Sequence, residues 1–208
     1  MQPSGTVNVT SSPWIVFEPA SLPTTGFIFY PGARVDERSY APPLRALAEQ
    51  GFLAVIVPMP LNLAIFDPSG AERVIAAYPQ ITHWAIGGHS MGGAMAATYA
   101  NDNLDVVKGL VLWAAYPQES DSLAAQQGVL GTAVFGTNDG LVDELERQQA
   151  LDFMPPEAAS LLIAGGNHAQ FGSYGDQPND GVATITRADQ QAQTVAATLE
   201  LLRNIAER

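Results

Sequence analysis

Residues 83–93 read HWAIGGHSMGG. The opening, 83–86, is a short apolar run suited to a strand, and 92–100 continues as a helix of small residues. Between them stands G-x-S-x-G, as Gly88-His89-Ser90-Met91-Gly92. A serine on such a strand-to-helix turn is held on strained backbone, and the flanking positions have room only for glycine. The helix that begins there turns the positive end of its dipole toward the serine, where negative charge developing on a substrate oxygen is stabilised. Ser90 is the candidate nucleophile. The backbone N–H of Met91, next in the chain, is one candidate oxyanion donor.

Outward from this turn the alternation of strand and helix repeats. Upstream, 6–10 and 14–18 read as a hairpin around 11–13. Continuous apolar runs at 27–30 and 52–57 read as buried strands. Between them lies a helix over 37–50, with Leu44, Leu47 and Ala48 on one side and Gly51 as its stop. Residues 71–78 are helical. Downstream, 109–114, 129–135 and 160–164 are strands and 141–151 is a helix. A long helix over 187–206 closes the chain, with Val195, Leu199, Leu202 and Ala206 as its apolar face and Thr186 with Asp189 as a capping box. Two leading strands followed by strands alternating with helices predict an α/β fold, one domain over 1–208, with a mostly parallel sheet of about eight strands and helices on both faces. Strands apolar on both sides fit that arrangement. Only about a dozen residues separate the strands at Ala114 and Val129, too few for a cap domain.

Ligands of such sheets sit at the carboxyl ends of the strands. Of three histidines, His83 opens its strand at the amino end and His89 lies beside the serine on a turn where neighbours diverge. His168 follows the last strand in LLIAGGNHAQF, late in the chain, and is the candidate base. The candidate acid is Asp139, in FGTNDGLV just past the strand ending at Phe135, one strand before the histidine. An Asn-Asp-Gly turn that caps the next helix is the competing reading of Asp139, and Asp143 is the runner-up acid. The loop after 27–30 reads Pro31-Gly32-Ala33, which makes the Ala33 N–H the second candidate oxyanion donor. Short loops must roof the pocket. Ile65, Phe66, Trp113, Phe171 and Tyr174 are its candidate walls, although a stripe such as Leu63, Ile65 and Phe66 serves a core equally well.

Composition sets the outer bounds. Hydrophobic residues are 47% and charged ones 14%, as in a globular chain. With no cysteine there is no thiol nucleophile, disulfide or thiolate metal site. The net charge of -12 and the lack of any Lys/Arg cluster argue against a nucleic-acid partner and favour a neutral or cationic small molecule. MQPSGTVNVT has neither a basic nor an apolar leader segment, and no apolar run approaches the ~20 residues of a membrane span, so a cytoplasmic protein is expected.

FIFYPGARVD, VIVPMPLNLAIFDP, GGHSMGGAMAA, FGTNDG and GGNHAQFGSYG together resemble the α/β-hydrolase superfamily. Within it they resemble the small, cap-less bacterial carboxylesterases related to dienelactone hydrolases. The resemblance implies hydrolysis of short-acyl esters by a Ser90–His168–Asp139 triad, without metal or cofactor. Dienelactone hydrolases carry Cys at the elbow, where this chain has Ser90. Thioesterase, amidase, perhydrolase and C–C hydrolase chemistry are compatible with the same fold, whereas an Asp-nucleophile dehalogenase is not. A non-catalytic binding module is the other class, and it is expected to lack part of the triad.

Overall fold

The computed structural model describes residues 7–208. Thr6 and the leading segment read above lie outside the described residues. Eight strands form one sheet: β1 (Val7–Thr10), β2 (Ile15–Pro19), β3 (Thr25–Tyr30), β4 (Leu53–Ile56), β5 (His83–His89), β6 (Val107–Trp113), β7 (Leu130–Gly136) and β8 (Ala159–Ile163). Their spatial order is β1-β2-β4-β3-β5-β6-β7-β8. The pairs β1–β2 and β2–β4 are antiparallel; all others are parallel. Every residue of β3 and β4 is buried, as the uninterrupted apolar runs require for strands covered on both faces. Phe29, at the centre, packs its ring 4.6 Å from Trp113 and 4.9 Å from Tyr40. Truncating a core ring of this kind costs about 3–5 kcal/mol.

Five helices cover the sheet: α1 (Ala41–Ala48), α2 (Gly70–Ala77), α3 (Met91–Asp102), α4 (Glu144–Asp152) and α5 (Arg187–Ala206). The first and last pack side by side on one face, and α3 packs on the other against β3, β5 and β6. On α5 the inward face holds Leu199, Leu202 and Ile205 together with Thr194 and Thr198, while Ala206 is exposed. Both threonines donate to carbonyls one turn back, and Thr198 Oγ1 also accepts from Trp113 Nε1 at 3.2 Å, so their burial leaves no polar group stranded.

Three elements depart from the sequence reading. The helix expected over 37–50 divides into a 3₁₀ turn, Glu37–Tyr40, and α1. Pro42 and Pro43 lack N–H groups and fit only the first turn of a helix, so a fresh helix starts there. The helix expected from 141 begins at Glu144, because the N–H groups of Leu141 and Val142 are claimed by the Asp139 side chain and Asp143 supplies the cap. Strand β8 pairs with β7 alone and exposes Ala159, Ser160 and Leu162, as an edge strand does. Between β6 and β7 the only helical element is a 3₁₀ turn, Glu119–Asp121, so no cap domain is inserted there. The register sets Tyr30 beside Gly88, His89 beside Trp113 and Trp113 beside Val134, which brings the carboxyl ends of the central strands level.

Candidate active site

The elbow is built by close packing. Ser90 adopts φ 53 and ψ −127 between β5 and α3. A non-glycine residue in that region costs roughly 1–3 kcal/mol and persists only where its surroundings enforce it. Here they do. A Cβ on Gly88 would lie 2.5 Å from the Gly92 carbonyl carbon, and one on Gly92 would lie 2.2 Å from the Tyr30 oxygen. Ser90 N–H donates to the Trp113 carbonyl at 3.0 Å, and the Ser90 carbonyl accepts from Gly93 and Ala94. The N–H of Met91 donates to none of the described residues, and neither does that of Ala33. The loop carrying Ala33 is pinned on both sides: Gly32 N–H donates to Tyr40 Oη at 3.1 Å, and Arg34 N–H donates to the Asn62 carbonyl at 2.8 Å.

His168 and Asp139 meet across the loops that follow β8 and β7. His168 Nδ1 lies 2.9 Å from Asp139 Oδ2, with both side chains shut off from solvent. The other carboxylate oxygen accepts from the N–H groups of Leu141, at 2.8 Å, and Val142, at 3.0 Å. Asp139 therefore does both things that its sequence context allowed: one oxygen organises the turn and the other holds the imidazole. An acceptor-only carboxylate in this position requires the proton on Nδ1, which leaves Nε2 as the basic nitrogen. Nε2 is buried and has no partner among the described residues. His168, Ser90 and Met91 line one cavity of about 400 Å³.

His89 is engaged elsewhere. Its Nδ1 lies 2.8 Å from Tyr40 Oη. The same hydroxyl accepts from Gly32 N–H at 3.1 Å, so it joins the His89 ring to the loop that carries Ala33. Burial holds the His89 imidazole well below its usual pKa, with the nearby His168 ring (4.5 Å between centroids) acting in the same direction. Burial likewise lifts the Tyr40 phenol well above its usual value. His83 sits at the amino end of β5, against Thr82. Asp143 caps α4 in a complete capping box with Glu146.

The structure thus brings Ser90, Met91 and His168 to one cavity, with Asp139 behind the histidine. The candidate walls fall elsewhere. Trp113 and Phe171 are fully buried beneath the site, with Trp113 directed at α5 through its bond to Thr198. Tyr174 leans on Tyr40 and His89, and Ile65 and Phe66 are exposed outside the cavity. The walls are instead Ala115, Tyr116, Leu141, Val142 and Gln177. Leu141 and Val142 directly follow the Asp139 turn, and Ala114 at φ 45 swings the chain after β6 so that the next residues border the cavity. Among the described residues no group of three His, Asp or Glu side chains is placed to hold a metal ion.

A model of the alpha/beta hydrolase family matches residues 26–192, from β3 into α5. The chain belongs to the alpha/beta hydrolase family. Solved structures show this hydrolase fold again at low identity. A protein described as a predicted CIB-like hydrolase from Thermoplasma acidophilum matches with TM-score 0.66 and 15% identity, covering 96% of this chain and 99% of that one. P91, a dienelactone hydrolase-like promiscuous phosphotriesterase from metagenomic libraries, matches with TM-score 0.66 and 16% identity over 96% of each chain. Est1E from Butyrivibrio proteoclasticus, solved with ferulic acid, matches with TM-score 0.65 and 13% identity, covering 94% and 98%. None of the curated proteins matches the hydrolase. No helix among its described residues is long and apolar enough to cross a membrane.

Proposed function

We propose that this alpha/beta hydrolase is a serine carboxylesterase for short-acyl esters, with the whole chain acting as one catalytic domain. The observation that carries the reading is the buried His168–Asp139 bond, which leaves the basic Nε2 unpartnered on a residue that shares its cavity with Ser90. Ser90 Oγ attacks the ester carbonyl carbon while His168 Nε2 takes its proton. The resulting oxyanion accepts from the free N–H groups of Met91 and Ala33. Collapse breaks the C–O bond to the alcohol, which leaves with the proton returned by His168. Water then gives a proton to the same nitrogen and attacks the acyl-Ser90 carbonyl, and the carboxylic acid departs as the serine is re-protonated. Asp139 holds the imidazole tautomer and offsets the charge of the imidazolium.

The test is covalent. A fluorophosphonate should label the protein once, at Ser90, and Ser90→Ala should abolish both labelling and hydrolysis of p-nitrophenyl acetate while the fold survives. Labelling at another serine, or a hydrolytically competent Ser90→Ala protein, overturns the assignment.

A further inference from the structure

Asp180, which nothing in the motif pattern singles out, accepts four backbone N–H groups. Its Oδ1 accepts from Gly140 at 3.1 Å, His168 at 3.1 Å and Gly181 at 2.8 Å, and its Oδ2 accepts from Ala169 at 2.8 Å. Gly140 is the residue after Asp139. One carboxylate therefore ties the backbone of the acid's turn to the backbone of the base's loop. These loops follow different strands; close to the strand ends they are joined by Asn138 N–H to the Gly166 carbonyl at 2.8 Å and by Gly165 N–H to Thr137 Oγ1 at 2.8 Å, and at the buried pair by His168 Nδ1 to Asp139 Oδ2. The Asp180 carboxylate adds bonds at Gly140, His168 and Ala169 themselves, beyond that strand-end seam, where the relative placement of the pair is set. Hydrogen bonds to a carboxylate are about twice as strong as neutral ones.

The segment carrying Asp180 is itself locked onto both loops. Asn138 Nδ2 donates to the Val182 carbonyl at 2.8 Å, and Asn167 Nδ2 donates to the Gly181 carbonyl at 2.8 Å. A Cβ on Gly140 would lie 2.3 Å from the Asn179 oxygen, and one on Gly181 would lie 2.0 Å from the Asn138 oxygen, so only glycines permit this approach. Four contacts from one short segment thus converge on Asn138, Gly140 and Asn167, the chain neighbours of the buried pair.

We propose that Asp180 is a positioning residue of the hydrolytic reaction, holding Asp139 and His168 in register through their backbones; this rests on the reading of those two residues as acid and base. Asp180 touches neither substrate nor reacting atoms. Asp180→Asn keeps the shape but replaces one acceptor oxygen with an NH₂, which cannot accept from the N–H groups it would face.

The experiment has three arms. In steady-state hydrolysis of p-nitrophenyl acetate, Asp180→Asn should lower kcat by about ten- to a hundredfold, the scale of a sub-ångström to ångström misplacement, with KM changed by less than about twofold. In the Asp139→Ala background the same substitution should cost almost nothing, because no pair remains to be registered. In proton NMR, the downfield resonance of the His168 Nδ1 proton, absent in Asp139→Ala, should move upfield or broaden in Asp180→Asn. This last arm reads the pair without turnover, so it tests the clamp even if Ser90 proves not to be the nucleophile. A full multiplicative loss in the Asp139→Ala background overturns the proposal, and so does an unmoved resonance, with or without a fall in kcat. Should Asp180→Asn not fold, Asn138→Ala, which releases the same segment from the acid's turn, carries the same kinetic and NMR readouts.

Discussion

Replacing Asp139 with asparagine sets two demands of the site against each other. The carboxylate accepts on both oxygens: Oδ1 from the Leu141 and Val142 N–H groups and Oδ2 from His168 Nδ1. An asparagine has one acceptor oxygen. Turned toward Leu141 and Val142, it keeps those two bonds and presents its NH₂ to His168, whose Nδ1 must then accept. The ring proton moves to Nε2, which can no longer take the proton of Ser90. The opposite rotamer restores the useful tautomer but strands two backbone donors against an NH₂. At about 1–3 kcal/mol for each unmade bond, the unproductive arrangement is favoured by about 2–6 kcal/mol. At 1.36 kcal/mol per decade that is a factor of about 30 to 3 × 10⁴. We expect kcat for p-nitrophenyl acetate to fall by between about 10² and 10⁴, a range whose upper end is the cost known for an amide in a triad acid's place. KM should stay close to wild type, and circular dichroism should show an intact fold. A folded Asp139→Asn protein with kcat within tenfold of wild type would refute the tautomer argument.

Asp143→Ala should behave differently. Loss of its capping box costs about 1 kcal/mol, a fall in Tm of about 2–4 °C for a chain of this size, with kcat unchanged; a collapse of kcat instead would make Asp143 the acid. Acyl preference should peak at roughly C2–C6 in a p-nitrophenyl ester series, since each buried methylene contributes about 0.8 kcal/mol only while the cavity can cover it. Faster hydrolysis of C12–C16 esters would show a longer acyl channel. Stability should depend on pH through His89. The folded chain holds this imidazole well below the unfolded value of 6.5, so the unfolded chain takes up the proton first. The contribution is complete above about pH 6.5 and is lost as pH falls below it, by at most about 1.4 kcal/mol per unit. Urea unfolding between pH 5 and 7.5 should show a shallower slope in His89→Gln; an unchanged slope assigns the effect to other groups.

Much of this architecture was legible because burial on both faces leaves parallel strands with few polar positions, so FIFY, LAVI and LVLW announce themselves. Glycines at the elbow were readable for the same physical reason that the structure displays: Gly88, Gly92 and Gly93 sit where a Cβ has no space. Once the strand ends were located, chain order alone brought Asp139 and His168 to one place. The cavity walls were not legible. Pattern reading favoured aromatic residues at the strand ends themselves, but Trp113 and Phe171 turn inward to the core, and residues past the turns, Tyr116 among them, form the walls. Which way a side chain points past a strand end depends on backbone angles such as φ 45 at Ala114, and no periodicity records those. Asp180 escaped notice because an acceptor of backbone N–H groups leaves no spacing signature.

The backbone at Ser90 sets the proposed nucleophile against the stability of the fold that carries it. At φ 53 and ψ −127 a glycine would sit without the strain that serine bears. Ser90→Gly should therefore unfold at a higher temperature than the active protein, as a catalytically dead chain. A change to glycine at this codon would give a sturdier molecule, and a requirement for turnover would oppose it. A descendant freed from that selection could keep the whole sheet, lose the serine and be more robust for the loss, which is a physical route from an enzyme to an inert relative of the same shape.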